Sequence, residues 1–188
     1  MKFSENGPKA RANGILIEYD QNKNSYLLIG GSDRNQGYND IWLLLINEKK
    51  WEKILIPELT NIFTPRCGVA YSVIDNNDNH LTMFIHGGQD YFNQTFYSDM
   101  LFMNFDKLNP EKSTIVNNTI LPLDINKNPC ERNSHCMVKD DHKEKLFIFG
   151  VGTKEKLEIS NLKKVEISKT SLIAFIIIEL LGVINLVL

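Results

Sequence analysis

Apolar residues along this chain fall in short runs, each closed by a polar cluster. Runs at 14–19, 26–31, 41–46 and 51–56 read as four successive strands. The first two are separated by Asp20-Gln21-Asn22-Lys23-Asn24, which is a turn by composition. The order recurs at 69–74, 81–85, 100–105 and 113–116, with Asn76-Asn77-Asp78-Asn79 as the matching turn. It begins again at 134–138 and 146–149 around Asp140-Asp141-His142-Lys143, with a further run at 162–167. Asparagine suits such turns because it tolerates left-handed backbone. No helical period alternates with the strands, which argues against a parallel α/β sheet and predicts an all-β chain of antiparallel meanders.

A punctuation mark sits at the same place in each round. Tyr26-Leu27-Leu28-Ile29 ends in Gly30-Gly31, Thr82-Met83-Phe84-Ile85-His86 ends in Gly87-Gly88, and Leu146-Phe147-Ile148-Phe149 ends in Gly150, where Val151 breaks the pair. The first glycines are 57 and then 63 residues apart. Arg11, Arg66 and Arg132 open the three rounds at spacings of 55 and 66. After the glycines come Tyr38-Asn39-Asp40-Ile41-Trp42 with Trp51 downstream, and then Tyr97-Ser98-Asp99. Uninterrupted apolar runs suit strands buried on both faces. The paired glycines allow turns or close approaches where a Cβ would clash. Asp40 and Asp99 are expected to accept hydrogen bonds from local backbone amides. Trp42 and Trp51 are expected to bury large areas between units.

These residues resemble the kelch repeat, a β-propeller family with a period of about 50 residues. The first unit is the best match. In the second, Leu101 replaces the first tryptophan; in the third, Arg132-Asn133-Ser134-His135 is similar to the family's opening motif. The resemblance implies four-stranded antiparallel blades in an incomplete ring of two to three, with units at about 8–60, 61–122 and 126–170. It also implies a non-catalytic protein-binding module, a scaffold or adaptor in the cytoplasm. Some kelch-like propellers are enzymes, including copper oxidases of the galactose oxidase type and a sugar-acid epimerase. A sugar- or small-molecule-active propeller is therefore the alternative, although none of those enzymes' site residues has a matching position here.

Composition narrows the partners. With 188 residues and 43% hydrophobic content the chain suffices for one domain with a sizeable core. A net charge of −2 without a Lys/Arg cluster gives no electrostatic case for nucleic acid. Three cysteines (Cys67, Cys130, Cys136) and a polar stretch over residues 1–13 point to free thiols in a reducing compartment. The sequons at Asn93 and Asn117 are read as chance. Residues 171–188 form an apolar tail. As a helix, 172–188 would reach about 25 Å, short of a bilayer core of about 30 Å, and it carries Glu179. Three readings are ranked: a truncated or non-native end, then the outer strand of the third unit, then a membrane anchor.

Catalytic chemistry finds little support. Cys130, His135, Cys136 and His142 lack zinc-ligand spacing, and adjacent strand residues point to opposite faces. His86 stands where the other units have Ile29 and Phe149, and reads as a hydrogen-bonded structural histidine. No metal or cofactor is expected. What remains is surface. In an antiparallel meander the loop after the second strand and the link into the next unit share one rim. That rim carries Arg34, Asn35, Asp90, Tyr91, Phe92 and Phe96, with Arg11, Arg66 and Arg132 nearby. Arginine and aromatics are what protein interfaces favour. Two and a half units leave apolar faces uncovered, so a stable monomer is not expected: the natural protein is longer, two copies associate, or the tail places it on a membrane.

Overall fold

The computed structural model describes residues 6–56, 59–117, 130–140 and 145–150, and two further strands at Lys163–Ile167 and Ile176–Leu180. The chain is mostly β, as its hydrophobic pattern requires. In order come β1 (Ile15–Asp20), β2 (Ser25–Ser32), β3 (Gly37–Leu45) and β4 (Lys50–Ile54). A single helical turn, α1 (Leu59–Ile62), leads into β5 (Ala70–Asn76) and β6 (His80–His86). Then follow the two-residue strands β7 (Gln89–Asp90) and β8 (Thr95–Phe96), and β9 (Met100–Asp106) and β10 (Thr114–Asn117). The last are β11 (Cys136–Asp140), β12 (Lys145–Phe149), β13 (Lys163–Ile167) and β14 (Ile176–Leu180).

These strands make three four-stranded antiparallel sheets, ordered β1-β2-β3-β4, β10-β9-β6-β5 and β11-β12-β13-β14. Each sheet comes from one contiguous stretch of chain, so the three rounds of the sequence are three sheets. The hairpin turns are built as their composition predicts. Asp20 Oδ1 accepts from the Asn22 and Lys23 amides, and Asn77 Oδ1 accepts from Asn79 and His80. The polar turn expected at 140–143 lies largely outside the described residues.

Strand alternation decides which faces meet. In β1, Ile15, Ile17 and Tyr19 are buried while Leu16 and Glu18 are exposed. With Leu27, Ile29 and Ile41 they pack on Leu81, Met83, Ile85, Met103 and Phe105 of the second sheet. The opposite face of that sheet, with Phe84 and Met100, packs on Met137, Leu146 and Ile148 of the third. The second sheet is thus sandwiched, and Met83, Phe84 and Ile85 are all fully buried.

One expectation needs correction. Trp42 and Trp51 do not sit between sheets; they are half-buried, on the face of the first sheet that points away from the second. The register explains this: Leu16, Leu28, Trp42 and Lys53 share one row, while Ile15, Ile29, Ile41 and Ile54 form the inward row. Within the apolar tail, β14 pairs with β13 from Ile167↔Ile176 to Lys163↔Leu180, the outer-strand arrangement that was the second of the three readings. The rest of 171–188 lies outside the described residues. No helix among the described residues is long and apolar enough to cross a membrane.

Candidate functional site

The three opening arginines organise the end of each sheet where the glycines lie. Arg11 Nη1 donates to the Gly30 carbonyl at 3.2 Å, Arg66 Nη1 to Gly87 at 3.2 Å, and Arg132 Nη1 to Gly150 at 2.8 Å. In each case Nε donates to the carbonyl two residues back: Lys9, Thr64 and Cys130. Arg11 pairs with both oxygens of Asp40, and Arg66 pairs with Asp99 at 2.5 Å. The guanidinium lies over the ring of Tyr38 in the first unit and Tyr97 in the second, at 3.8 and 3.6 Å from the centroids. Burial pushes the Asp40 carboxyl up, but hydrogen bonds from Arg11 and from Trp42 Nε1 at 2.8 Å outweigh it and hold the group below its ordinary range.

Thus Asp40 and Asp99, expected to hold backbone amides, instead hold arginines. Arg66 and Arg132, expected as rim contacts, are buried, and the Arg11 side chain is nearly so. Their guanidinium groups bond to carbonyls and side chains inside the fold.

The same residues join one sheet to the next. The second glycine donates to the carbonyl of the following unit's arginine: Gly31 N–H to Arg66 at 3.1 Å, Gly88 N–H to Arg132 at 2.9 Å. The arginine amide returns a bond to the tyrosine carbonyl: Arg66 to Tyr38 at 3.3 Å, Arg132 to Tyr97 at 3.2 Å. A third bond links the positions two residues after each arginine, Gly68 N–H to Asn13 C=O at 3.1 Å and Ser134 N–H to Gly68 C=O at 2.7 Å. All three of those positions have positive φ: 56°, 65° and 50° at Asn13, Gly68 and Ser134. Gly87 must be glycine here, since its φ is 68° and a Cβ would stand 2.6 Å from the Arg132 carbonyl oxygen.

Above this layer stand the loops. Asp33 and Asp90 each lie two residues after the second glycine and build the same turn. Asp33 Oδ1 accepts from the Asn35 and Gln36 amides at 2.6 and 2.8 Å. Asp90 Oδ1 accepts from Phe92 and Asn93 at 2.9 and 3.3 Å. The Tyr38 hydroxyl donates to Asp33, which lowers the carboxyl pKa and raises that of the phenol. Asp90 is therefore a buried turn anchor and not a surface contact. Phe96, half-buried, pairs with Gln89 across the β7–β8 hairpin. Arg34 and Asn35 are exposed at the first loop tip. Tyr91 and Phe92 are 50% and 48% exposed at the second. The rim set thus divides: four residues project and the rest build the support. That hairpin escaped sequence reading because its strands are two residues long.

His86 and His135 form a buried pair, Nδ1 of the first 2.8 Å from Nε2 of the second, with rings at 90°. Burial, with Arg132 nearby, pushes the His135 pKa down to about 4, and burial likewise holds His86 well below its ordinary value. Both stay neutral at pH 7, so one ring donates and the other accepts. His86 is sealed from solvent. His135 is buried while adjacent Cys136 is exposed, and Cys130 accepts from Arg132 Nη2 at 3.3 Å. Among the described residues no three His, Cys, Asp or Glu side chains converge as a metal site, and His142 lies outside them. The three cysteines are free thiols.

Neither the known protein-family models nor the curated proteins contain a match to this chain.

Proposed function

We propose that this chain is a kelch-type β-propeller segment that binds a protein partner through its glycine-end loops, serving as a scaffold or adaptor in a reducing, cytoplasmic setting. The observation that carries the reading is the pair of loops beyond Gly31 and Gly88. Equivalent aspartates rigidify both, yet their tips differ: Arg34-Asn35 on one, Tyr91-Phe92 on the other. A repeated frame that holds unlike side chains on one rim is how repeat scaffolds vary recognition without altering the fold. Exposed aromatics on an anchored turn lose little side-chain entropy on binding. The repeated arginine network and the sheet-to-sheet stacking support blades of one kind. The sealed position of His86 weighs against a propeller enzyme using it as a base.

Affinity capture with the full chain tests this. Tyr91→Ala with Phe92→Ala is expected to abolish recovery of the partner with an unchanged melting curve, as is normal for exposed sites. Undiminished recovery would remove the rim from the account. Saturable turnover of a sugar by the purified chain would favour the enzyme.

A further inference from the structure

The two seams between sheets share one backbone frame but differ at two side chains. In the first seam the residue before the glycine pair is Ile29, in the core, and the residue three after the opening arginine is Val69, which packs against that core. In the second seam the same positions hold His86 and His135. An imidazole pair thus stands where the third unit's opening segment meets the second sheet. Its facing nitrogens are 2.8 Å apart. In the neutral pair one proton fills that gap and the other sits on one outer nitrogen. A third proton makes both outer nitrogens donors, and His135 Nδ1 is buried with no acceptor among the described residues. The charges acting on the pair are the cations Arg132 and Arg66. Asp99 is taken up by Arg66 at 2.5 Å, the Tyr97 ring lies under the same guanidinium, and Cys130 accepts from Arg132. The rings have no room to turn, since a Cβ at Gly87 would stand 2.9 Å from His135 Cε1. A charged pair therefore reaches water only if the seam parts.

The same segment clamps the hairpin that carries Tyr91 and Phe92. Arg132 C=O accepts from Gly88 N–H at 2.9 Å, and Arg132 N–H donates to Tyr97 C=O at 3.2 Å. Asn133 Nδ2 donates to Gln89 Oε1 at 2.6 Å. Gly88, Gln89 and Tyr97 are the feet of the β7–β8 hairpin. Within its own unit the hairpin is held by Cys67, which exchanges two backbone bonds with Gln89. The clamp across the seam is the one that the histidines can release. The equivalent clamp on the first loop, Arg66 on Gly31 and Tyr38, stands beside Ile29 and Val69, which cannot titrate.

We propose that the His86–His135 pair is an acid-operated release for the second loop: protonation parts residues 132–135 from the hairpin and frees the Tyr91–Phe92 tip, while the first loop stays fixed. This inference rests on the reading of that rim as a binding surface and supplies its regulation. The sign follows from burial. His135 takes its proton at about pH 4 in the closed seam and at its ordinary 6.5 once exposed, so acid favours the open form between those values. From pH 7 to pH 5 the opening constant should rise about twentyfold through His135 alone. His86 is shifted in the same direction and adds to it.

Amide exchange by NMR on the full chain at pH 7 and pH 5, with each rate divided by that of an unstructured peptide at the same pH, reads the opening directly. Protection at the Gly88 and Arg132 amides, which make the cross-seam bonds, is expected to fall about twentyfold or more relative to Gly31. His86→Ile with His135→Val, which reproduces the first seam, is expected to remove the difference. If that variant fails to fold, His135→Gln takes its place and is expected to shrink the difference. An equal change at Gly31 and Gly88, or a difference that survives the substitutions, would overturn the release. Either result leaves the rim reading standing, because capture by Tyr91 and Phe92 is tested separately at pH 7.

Discussion

Acid should loosen the seam between the second and third sheets well before it protonates the carboxylates. His135 has a folded-state pKa of about 4 against an ordinary 6.5, because burial and Arg132 disfavour its charged form. The unfolded chain therefore binds more protons than the folded one between those values. Stability from this source is complete above pH 6.5, and is lost progressively as pH falls toward 4. At pH 5, His135 alone costs about 2 kcal/mol relative to pH 7, and about 3 kcal/mol once the pH is below 4. His86 is shifted in the same direction and adds to the loss. The depressed carboxylates Asp33, Asp40 and Asp106 act lower, since their ordinary value is 3.8 and their contribution disappears below it. The window from pH 6.5 to 5 thus reports the histidines. Urea unfolding at pH 7, 6 and 5 measures it, with His135→Gln as the variant whose pH slope should flatten. Equal unfolding free energy at pH 7 and 5 in the wild type would refute the reasoning.

Two further substitutions probe the repeated frame. Arg66→Met strands Asp99 and the Gly87 carbonyl inside the fold, and should cost about 3–5 kcal/mol in chemical unfolding, whereas Arg34→Ala should cost under about 0.5 kcal/mol. Gly87→Ala combines left-handed backbone with a 2.6 Å clash against the Arg132 carbonyl, and should lower stability by at least about 2 kcal/mol, whereas Lys53→Ala on an exposed strand position should be near neutral.

Strand positions were legible because burial of one or both faces imposes a pattern on the sequence that needs no knowledge of neighbours. Turns were legible for a similar reason: Asp20 and Asn77 act on amides two and three residues away. The arginines were visible as spacing but not as a role. Their partners lie 19, 21 and 18 residues on at the glycines, and 29 and 33 on at the aspartates, and only folding brings those together. The near-constant arginine-to-glycine separation was the available signal, a buried charge ahead of each glycine pair. The histidine pair joins residues 49 apart in sequence, and no local pattern announces such a contact. Trp42 and Trp51 misled because large aromatics suggest burial, whereas the register of β3 and β4 turns them to the uncovered side of the first sheet.

The central claim is that the three units are one repeat, joined by a bond from each second glycine to the next unit's arginine. Amide hydrogen exchange resolved by NMR tests it at single residues. Gly31 is the next-to-last residue of β2 and Gly88 lies between β6 and β7, and their N–H groups donate to the Arg66 and Arg132 carbonyls at 3.1 and 2.9 Å. Both amides should be protected to a similar degree, and far more than the exposed loop amide of Arg34. Exchange at Gly31 and Gly88 as fast as at Arg34 would contradict the account.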